Sequence, residues 1–222
     1  MTIFAPHMNT VVAFSLSGMD VRLLPQKALL IPDLGTLLIA DLHLGKVNHF
    51  RKAGLPVPAA ANEQNSAQLI DLIRSTQARR VIFLGDLFHS HYNPEWEVLG
   101  QICNHFSAVK FELVPGNHDI MSELQYERHG IILQPTIMPL GPFLLTHDAP
   151  EPMDGGYVLS GHVHPGIRLR GRGRQALTFP CFHFGKRQGL LPSFGAFTGM
   201  KVILPEKEDQ VFAIAKDEIF EV

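Results

Sequence analysis

Apolar and β-branched runs alternate with stretches of helical spacing through the first half of the chain, then crowd together with Gly and Pro punctuation in the second. Val11–Leu16 and Asp20–Leu24 predict a strand pair joined at Ser17-Gly18, and Leu37–Ala40 predicts a buried strand that delivers Asp41 at its carboxyl end. Leu69, Ile70, Leu72 and Ile73 share one helical face and predict a helix over Asn62–Thr76, while Pro94 opens a second over Pro94–Phe106. Strands are expected at Val81–Leu84, before Gly85-Asp86, and at Val109–Val114, before Pro115-Gly116-Asn117. Further strands are expected at Phe143–Thr146, Tyr157–Ser160, Gly166–Arg170, Ala176–Phe179, Ala196–Ile203 and Gln210–Ala215. A β-α-β-α-β series followed by strands predicts two facing sheets with helices outside, a four-layer α/β/β/α sandwich formed by residues 1–222 as one domain. No repeat, low-complexity tract or linker interrupts it.

Composition narrows the class. With 222 residues, 45% apolar and 18% charged, the chain can bury one substantial core. A net charge of −2 marks no global binder of polyanions, so any phosphate-binding patch must be local. Cys103 and Cys181 are too few for a disulfide framework, which makes a reducing cytoplasm the expected setting. Met1–Leu16 lacks the basic start, apolar run and cleavage site of a signal peptide, and no stretch approaches the ~20 apolar residues of a membrane span. A soluble protein without a membrane partner is expected.

The chemistry lies in five short blocks: Asp41-Leu42-His43, Gly85-Asp86, Gly116-Asn117-His118-Asp119, His147 and Gly161-His162-Val163-His164. Carboxylate and amide oxygens mixed with imidazoles suit a pair of divalent cations, and such pairs catalyse in-line displacement at phosphorus. Asp41 and His43, two residues apart at a strand exit, can hold one cation together with Asp86, whose two oxygens allow it to bridge to a second. Ions sharing a hydroxide in this way sit ~3.5–4 Å apart, and that hydroxide is the expected nucleophile. Asn117 offers a neutral oxygen ligand, and His147, His162 and His164 complete the shells, Val163 pointing away. His118 is left over, placed to donate to a phosphoryl oxygen or protonate the departing alkoxide. Asp119 is expected to orient it or fix its tautomer. Gly85 and Gly116 permit close approach beside the ligands.

The ordered set resembles the signature of the calcineurin-like metallophosphoesterases, D-x-H, G-D, G-N-H-D/E, H and G-H-x-H, over Leu37–His164. The resemblance implies that one metal takes Asp41, His43, Asp86 and His164, and the other Asp86, Asn117, His147 and His162. Ala40-Asp41-Leu42-His43-Leu44-Gly45-Lys46 resembles the D-x-H-L-G opening of the DNA double-strand-break nucleases, and Ala53-Gly54-Leu55-Pro56-Val57-Pro58, Gly85-Asp86-Leu87-Phe88-His89-Ser90, Pro180-Cys181-Phe182 and Ser193-Phe194-Gly195-Ala196-Phe197-Thr198-Gly199 are similar to the bacterial ligase-associated DNA damage response endonucleases of the PdeM family. That likeness implies a manganese-favouring phosphodiesterase, with iron or zinc also acceptable to these ligands. It also implies a nucleic-acid substrate and a DNA ligase, a helicase and an exonuclease as associates in DNA repair.

A nuclease must hold a polyanion. Lys46, Arg51 and Lys52 follow the first motif, and Arg168, Arg170, Arg172 and Arg174 alternate across a Gly-punctuated hairpin after His164. Both groups are candidate phosphate contacts, and both are equally compatible with a solvated surface. His89 and His91 either line the substrate pocket or are plain loop residues. Cys181, Phe182 and Phe184 read as packing residues, and Asp148 as a loop residue. Three rival functions share features with this pattern. A phosphomonoesterase would use the same metals, a lipid pyrophosphatase would carry Arg at the position of His118 and an apolar cap, and a non-catalytic scaffold would lack several histidines.

Overall fold

The structure, a computed structural model, describes residues 10–46, 60–89, 92–149, 151, 153–171, 175–196 and 198–222. Arg51, Lys52, His91, Arg172, Arg174 and the Gly54-Leu55-Pro56 stretch lie outside the described residues.

The first sheet contains β1 (Val12–Leu16), β2 (Met19–Leu24), β3 (Ala28–Ile31), β4 (Thr36–Ala40), β5 (Arg80–Leu84), β6 (Lys110–Val114) and β7 (Ile131–Leu133), in that spatial order. Strands β1 to β4 run antiparallel, and β4 to β7 run parallel. Helices α1 (Ala60–Thr76) and α2 (Glu95–His105) provide two of the crossovers between parallel strands, and α3 (Glu123–Arg128) precedes β7. The second sheet contains β8 (Ile137–Leu140), β9 (Phe143–Thr146), β10 (Tyr157–Ser160), β11 (Pro165–Arg170), β12 (Ala176–Phe184), β13 (Gln188–Leu190), β14 (Lys201–Val202), β15 (Gln210–Ala215) and β16 (Glu218–Glu221).

Strand alternation explains the layering. Leu37 and Ile39 of β4, Val81 and Phe83 of β5, and Phe111 and Leu113 of β6 face Leu69, Leu72 and Ile73 of α1, Leu99 and Ile102 of α2, and Tyr126 of α3. Leu38, Ala40, Ile82, Leu84 and Val114 point the other way and meet Phe143, Leu145, Leu159, Phe182, Phe184 and Phe212 of the second sheet. The described helices therefore cover the outer face of the first sheet. Ile167, Cys181, Val211 and Ala213 form a small cluster of their own in the second sheet. The architecture is consistent with the expected four-layer α/β/β/α sandwich.

Away from the motif residues, a fully buried carboxylate lies in the first sheet. Glu112 of β6 is reached by the Arg80 guanidinium, by Lys110 Nζ at 3.1 Å and by Gln134 Nε2 at 2.6 Å. These donors satisfy a carboxylate that would otherwise be costly to remove from water.

Several boundaries differ from expectation. The strand expected over Ala196–Ile203 is confined to Lys201–Val202, and β12 continues through Phe184. The first helix begins at Ala60 and the second at Glu95, with Pro94 in the N-cap position. The elements β3, α3, β7, β8, β13 and β16 were not anticipated. Pro139 lies within β8, which ends the sheet, where proline is tolerated.

Candidate metal centre

Every motif block lies just beyond the carboxyl end of a strand. Asp41 follows β4, Asp86 follows β5, Asn117 and His118 follow β6, His147 follows β9 and His162 follows β10. Because β4, β5 and β6 are parallel to one another, and β9 is parallel to β10, these ends converge from both sheets at one edge of the sandwich. Backbone bonds lock the loops together: His43 N–H donates to the Asp86 carbonyl at 2.9 Å, and Gly161 N–H to the His147 carbonyl at 3.1 Å.

Two ligand clusters result, Asp41 with His43 and His164, and Asp86 with His147 and His162. Nδ1 of His164 donates to the Gly199 carbonyl at 3.1 Å, which leaves Nε2 as a lone pair 3.3 Å from Asp41 Oδ1. That oxygen is buried and accepts no hydrogen bond among the described residues, whereas Asp41 Oδ2 is taken by the His162 amide at 2.9 Å. In the other cluster His147 Nδ1 faces the Leu84 carbonyl at 3.1 Å. Its Nε2 lies 3.0 Å from His162 Nδ1, 3.2 Å from Asn117 Oδ1 and 3.5 Å from Asp86 Oδ1. Two ligands sharing an ion at bond lengths of ~2.0–2.2 Å sit roughly 3 to 3.5 Å apart. Lone pairs meeting at these spacings fit a divalent cation in each cluster.

Electrostatics favours the same use. Burial, reinforced by the positive charge of Lys46 and by neighbouring imidazoles, pushes His43 down to about 2, so the ring is neutral and ready to ligate. Burial also lowers the Lys46 ammonium, against the pull of Asp41 and Asp86. Asp41, His43, Asp86, His162 and His164 all adopt left-handed backbone, with φ between 48° and 62°. Such strain at non-glycine residues costs of order 1–3 kcal/mol each and persists where the surroundings enforce it, commonly at functional sites. A Cβ at Gly85 would come within 2.1 Å of His147 Nδ1, and one at Gly116 within 2.4 Å of Asp86 Oδ1. Both glycines clear the space the ligands occupy.

His118 stands beside both clusters. Its amide donates to Asp86 Oδ1 at 3.0 Å, its ring meets that of His43 at 5.6 Å between centroids, and its Nδ1 lies 2.8 Å from the His89 carbonyl. Asp119, expected to orient His118, instead accepts from the Leu87 amide at 3.0 Å and the Gly116 amide at 2.9 Å. The tautomer partner of His118 is therefore the His89 carbonyl, while Asp119 ties the Asp86 loop to the Asn117 loop. Burial pushes Asp119 up to about 6, the Asp86 charge adding to the effect and backbone donors opposing it.

The remaining candidates separate clearly. His89 joins the cluster, its ring stacked 5.3 Å from that of His118. Arg168 and Arg170 are exposed on β11, which leaves His164 directly. Cys181, with its thiol pushed up to about 12 by burial, and Phe182 and Phe184 are packing residues. Three supports went unread in the sequence: the Gly199 and Leu84 carbonyls, and Ser193, whose hydroxyl donates to the Asp41 carbonyl at 2.9 Å. No described helix is long and apolar enough to cross a membrane.

The model of the calcineurin-like phosphoesterase family matches residues 35–148, just over half of the chain. The crystal structure of Pseudomonas putida nuclease MPE is similar at a TM-score of 0.82 and 29% identity, covering 96% of this chain and 100% of that one. A second likeness, to Yfce, a phosphoesterase from E. coli, has a TM-score of 0.43 at 14% identity over 83% of this chain and 90% of that one. No curated protein sequence matches the chain. With Asp41, His43, Asp86 and His147 of the two donor clusters inside the matched residues, the chain belongs to the calcineurin-like phosphoesterases and is a metal-dependent phosphoester hydrolase.

Proposed function

We propose that the chain is a dinuclear phosphodiesterase that cuts nucleic acid, an endonuclease of cytoplasmic DNA repair acting alongside a DNA ligase, a helicase and an exonuclease. The observation that carries this reading is His118 held at the junction of two donor clusters in a chain similar along almost its whole length to a nuclease.

Asp41, His43, Asp86 and His164 would hold one metal, and Asp86, Asn117, His147 and His162 the other, with manganese favoured and iron or zinc compatible with the donors. Divalent metals bound there supply Lewis acidity, activating water and neutralising charge on the phosphoryl oxygens. The Leu84 and Gly199 carbonyls aim the imidazoles of His147 and His164 and fix their tautomers. His118 binds a phosphoryl oxygen or protonates the leaving alkoxide through Nε2. Because Nδ1 is directed at the His89 carbonyl, only the imidazolium keeps that bond while donating from Nε2. Asp119 positions the loop that carries Asn117 and His118. Lys46, Arg168 and Arg170 would contact flanking phosphates, which fix register without reading sequence.

The test is manganese-dependent hydrolysis of bis-p-nitrophenyl phosphate against p-nitrophenyl phosphate, followed by single- and double-stranded DNA, with Asp86→Ala as the inactive control. Preference for the diester together with DNA cleavage is expected. Preference for the monoester would make the chain a phosphatase.

A further inference from the structure

Two adjoining cavities share Lys27 and Pro180 in their walls. The smaller, about 200 Å³, begins at the candidate metal-centre residue His164 and is bounded by Ser193, Gly195 and Thr198, with no carboxylate among the described residues that line it. The larger, about 1010 Å³, continues past Lys27 between Gln26, Gln64 and Phe179. Its size is at the upper end of small-molecule sites. Together they form a groove leading away from the metal centre.

Lys27 stands where the two cavities meet. It occupies the turn between β2 and β3 in left-handed conformation, φ 64°, with its amide closing on the Leu24 carbonyl at 2.9 Å. Among the described residues its ammonium has no ion pair or hydrogen bond, and burial lowers its pKa from the usual lysine value. A partly desolvated cation without a counter-charge costs stability, and an anion entering the groove would relieve that cost.

Resting on the nuclease reading above, we propose that Lys27 binds a non-scissile phosphate, and that the groove from His164 past Lys27 is the subsite for the nucleotide adjoining the bond to be cut. A lysine suits this role as a point charge that tolerates varied phosphate geometry. Gln64 offers neutral hydrogen bonds to sugar or base edges, and the half-buried Phe179 a ring for stacking. Asp217 and Glu218 line the larger cavity as well, and their charge limits how far a polyanion extends along it. A small aryl diester carries a single phosphate and has no non-scissile phosphate to offer, so a contact from Lys27 to such a phosphate separates polynucleotides from small diesters.

Wild type, Lys27→Gln and Lys27→Arg, each checked for unchanged melting temperature, are compared by kcat and KM on a single-stranded oligonucleotide and on bis-p-nitrophenyl phosphate. Oligonucleotide binding to the metal-free proteins is measured by fluorescence anisotropy across a salt series. Lys27→Gln is expected to lower the ratio of oligonucleotide to aryl-diester kcat/KM about tenfold, mainly through KM. It should also reduce the salt dependence of binding by about one phosphate contact, and Lys27→Arg should restore both. An unchanged ratio and salt slope, in a wild type that cuts the oligonucleotide, would overturn the role of Lys27 and leave the nuclease reading standing. A wild type that hydrolyses the aryl diester but neither binds nor cuts oligonucleotides would overturn both.

Discussion

His147 Nε2 lies 3.2 Å from the side-chain oxygen of Asn117, and with Nδ1 directed at the Leu84 carbonyl the neutral ring places two lone pairs face to face. A cation between them turns this repulsion into coordination. Manganese should therefore stabilise the fold, by about 2.7 kcal/mol at a hundredfold excess over Kd, or roughly 5–10 °C in melting temperature for a domain of this size. Chelator should reverse the shift in a thermal melt, and His147→Ala should shrink it.

His118 touches the site through its backbone amide and ring without belonging to either donor cluster. His118→Ala is expected to retain metal content by elemental analysis and to lose about 10²- to 10⁴-fold in kcat, the range for a general acid or base. Loss of metal in this variant would show that the ring is a ligand.

Asp119 joins two ligand loops through the Gly116 and Leu87 amides. Asp119→Ala strips both donors of their partner and should cost about 3 kcal/mol in urea unfolding, whereas Asp119→Asn, with one oxygen left, should cost about half as much.

Far from the metals, His183 Nε2 lies 2.7 Å from Asp209 Oδ2, which also accepts from the Glu206 amide at 2.8 Å. Burial raises the Asp209 pKa, but the His183 bond, the Glu206 amide and the His183 charge outweigh it and hold the carboxyl below its usual value. A carboxylate depressed in the folded state contributes stability that is complete above its unfolded pKa of ~3.9 and is lost as pH falls through the lower folded value. Asp209→Asn should thus destabilise near neutrality by about 1 kcal/mol and matter less below pH ~3.5, read from urea midpoints across pH.

The candidate site was legible because donor residues are recognised by type and order, and the structure brings the side chains of Asp41, His43, Asp86, Asn117, His147, His162 and His164 close together. What aims them was not legible. The Leu84, Gly199 and His89 carbonyls are backbone groups that every residue carries. Nor does the sequence announce left-handed backbone at His43 or Asp86, where the usual signal would be glycine or asparagine. In the fold, β3 escaped detection because Ala28, Leu29, Leu30 and Ile31 are all buried, leaving no alternation to read. The helix α3 spans only Glu123–Arg128, too short for a periodic signature. Strands β4, β5 and β6 are almost as uniformly buried, but each apolar run leads into a ligand motif, and that marks them in the sequence.

Metal stoichiometry tests the central claim most directly. After equilibration with manganese and removal of free ion, the wild-type protein should carry two ions per chain, His147→Ala and His164→Ala should each carry fewer, and Asp86→Ala should weaken both sites. A single ion per chain in the wild type, or two ions retained when His147 and His164 are both replaced, would contradict a two-metal centre built from these residues.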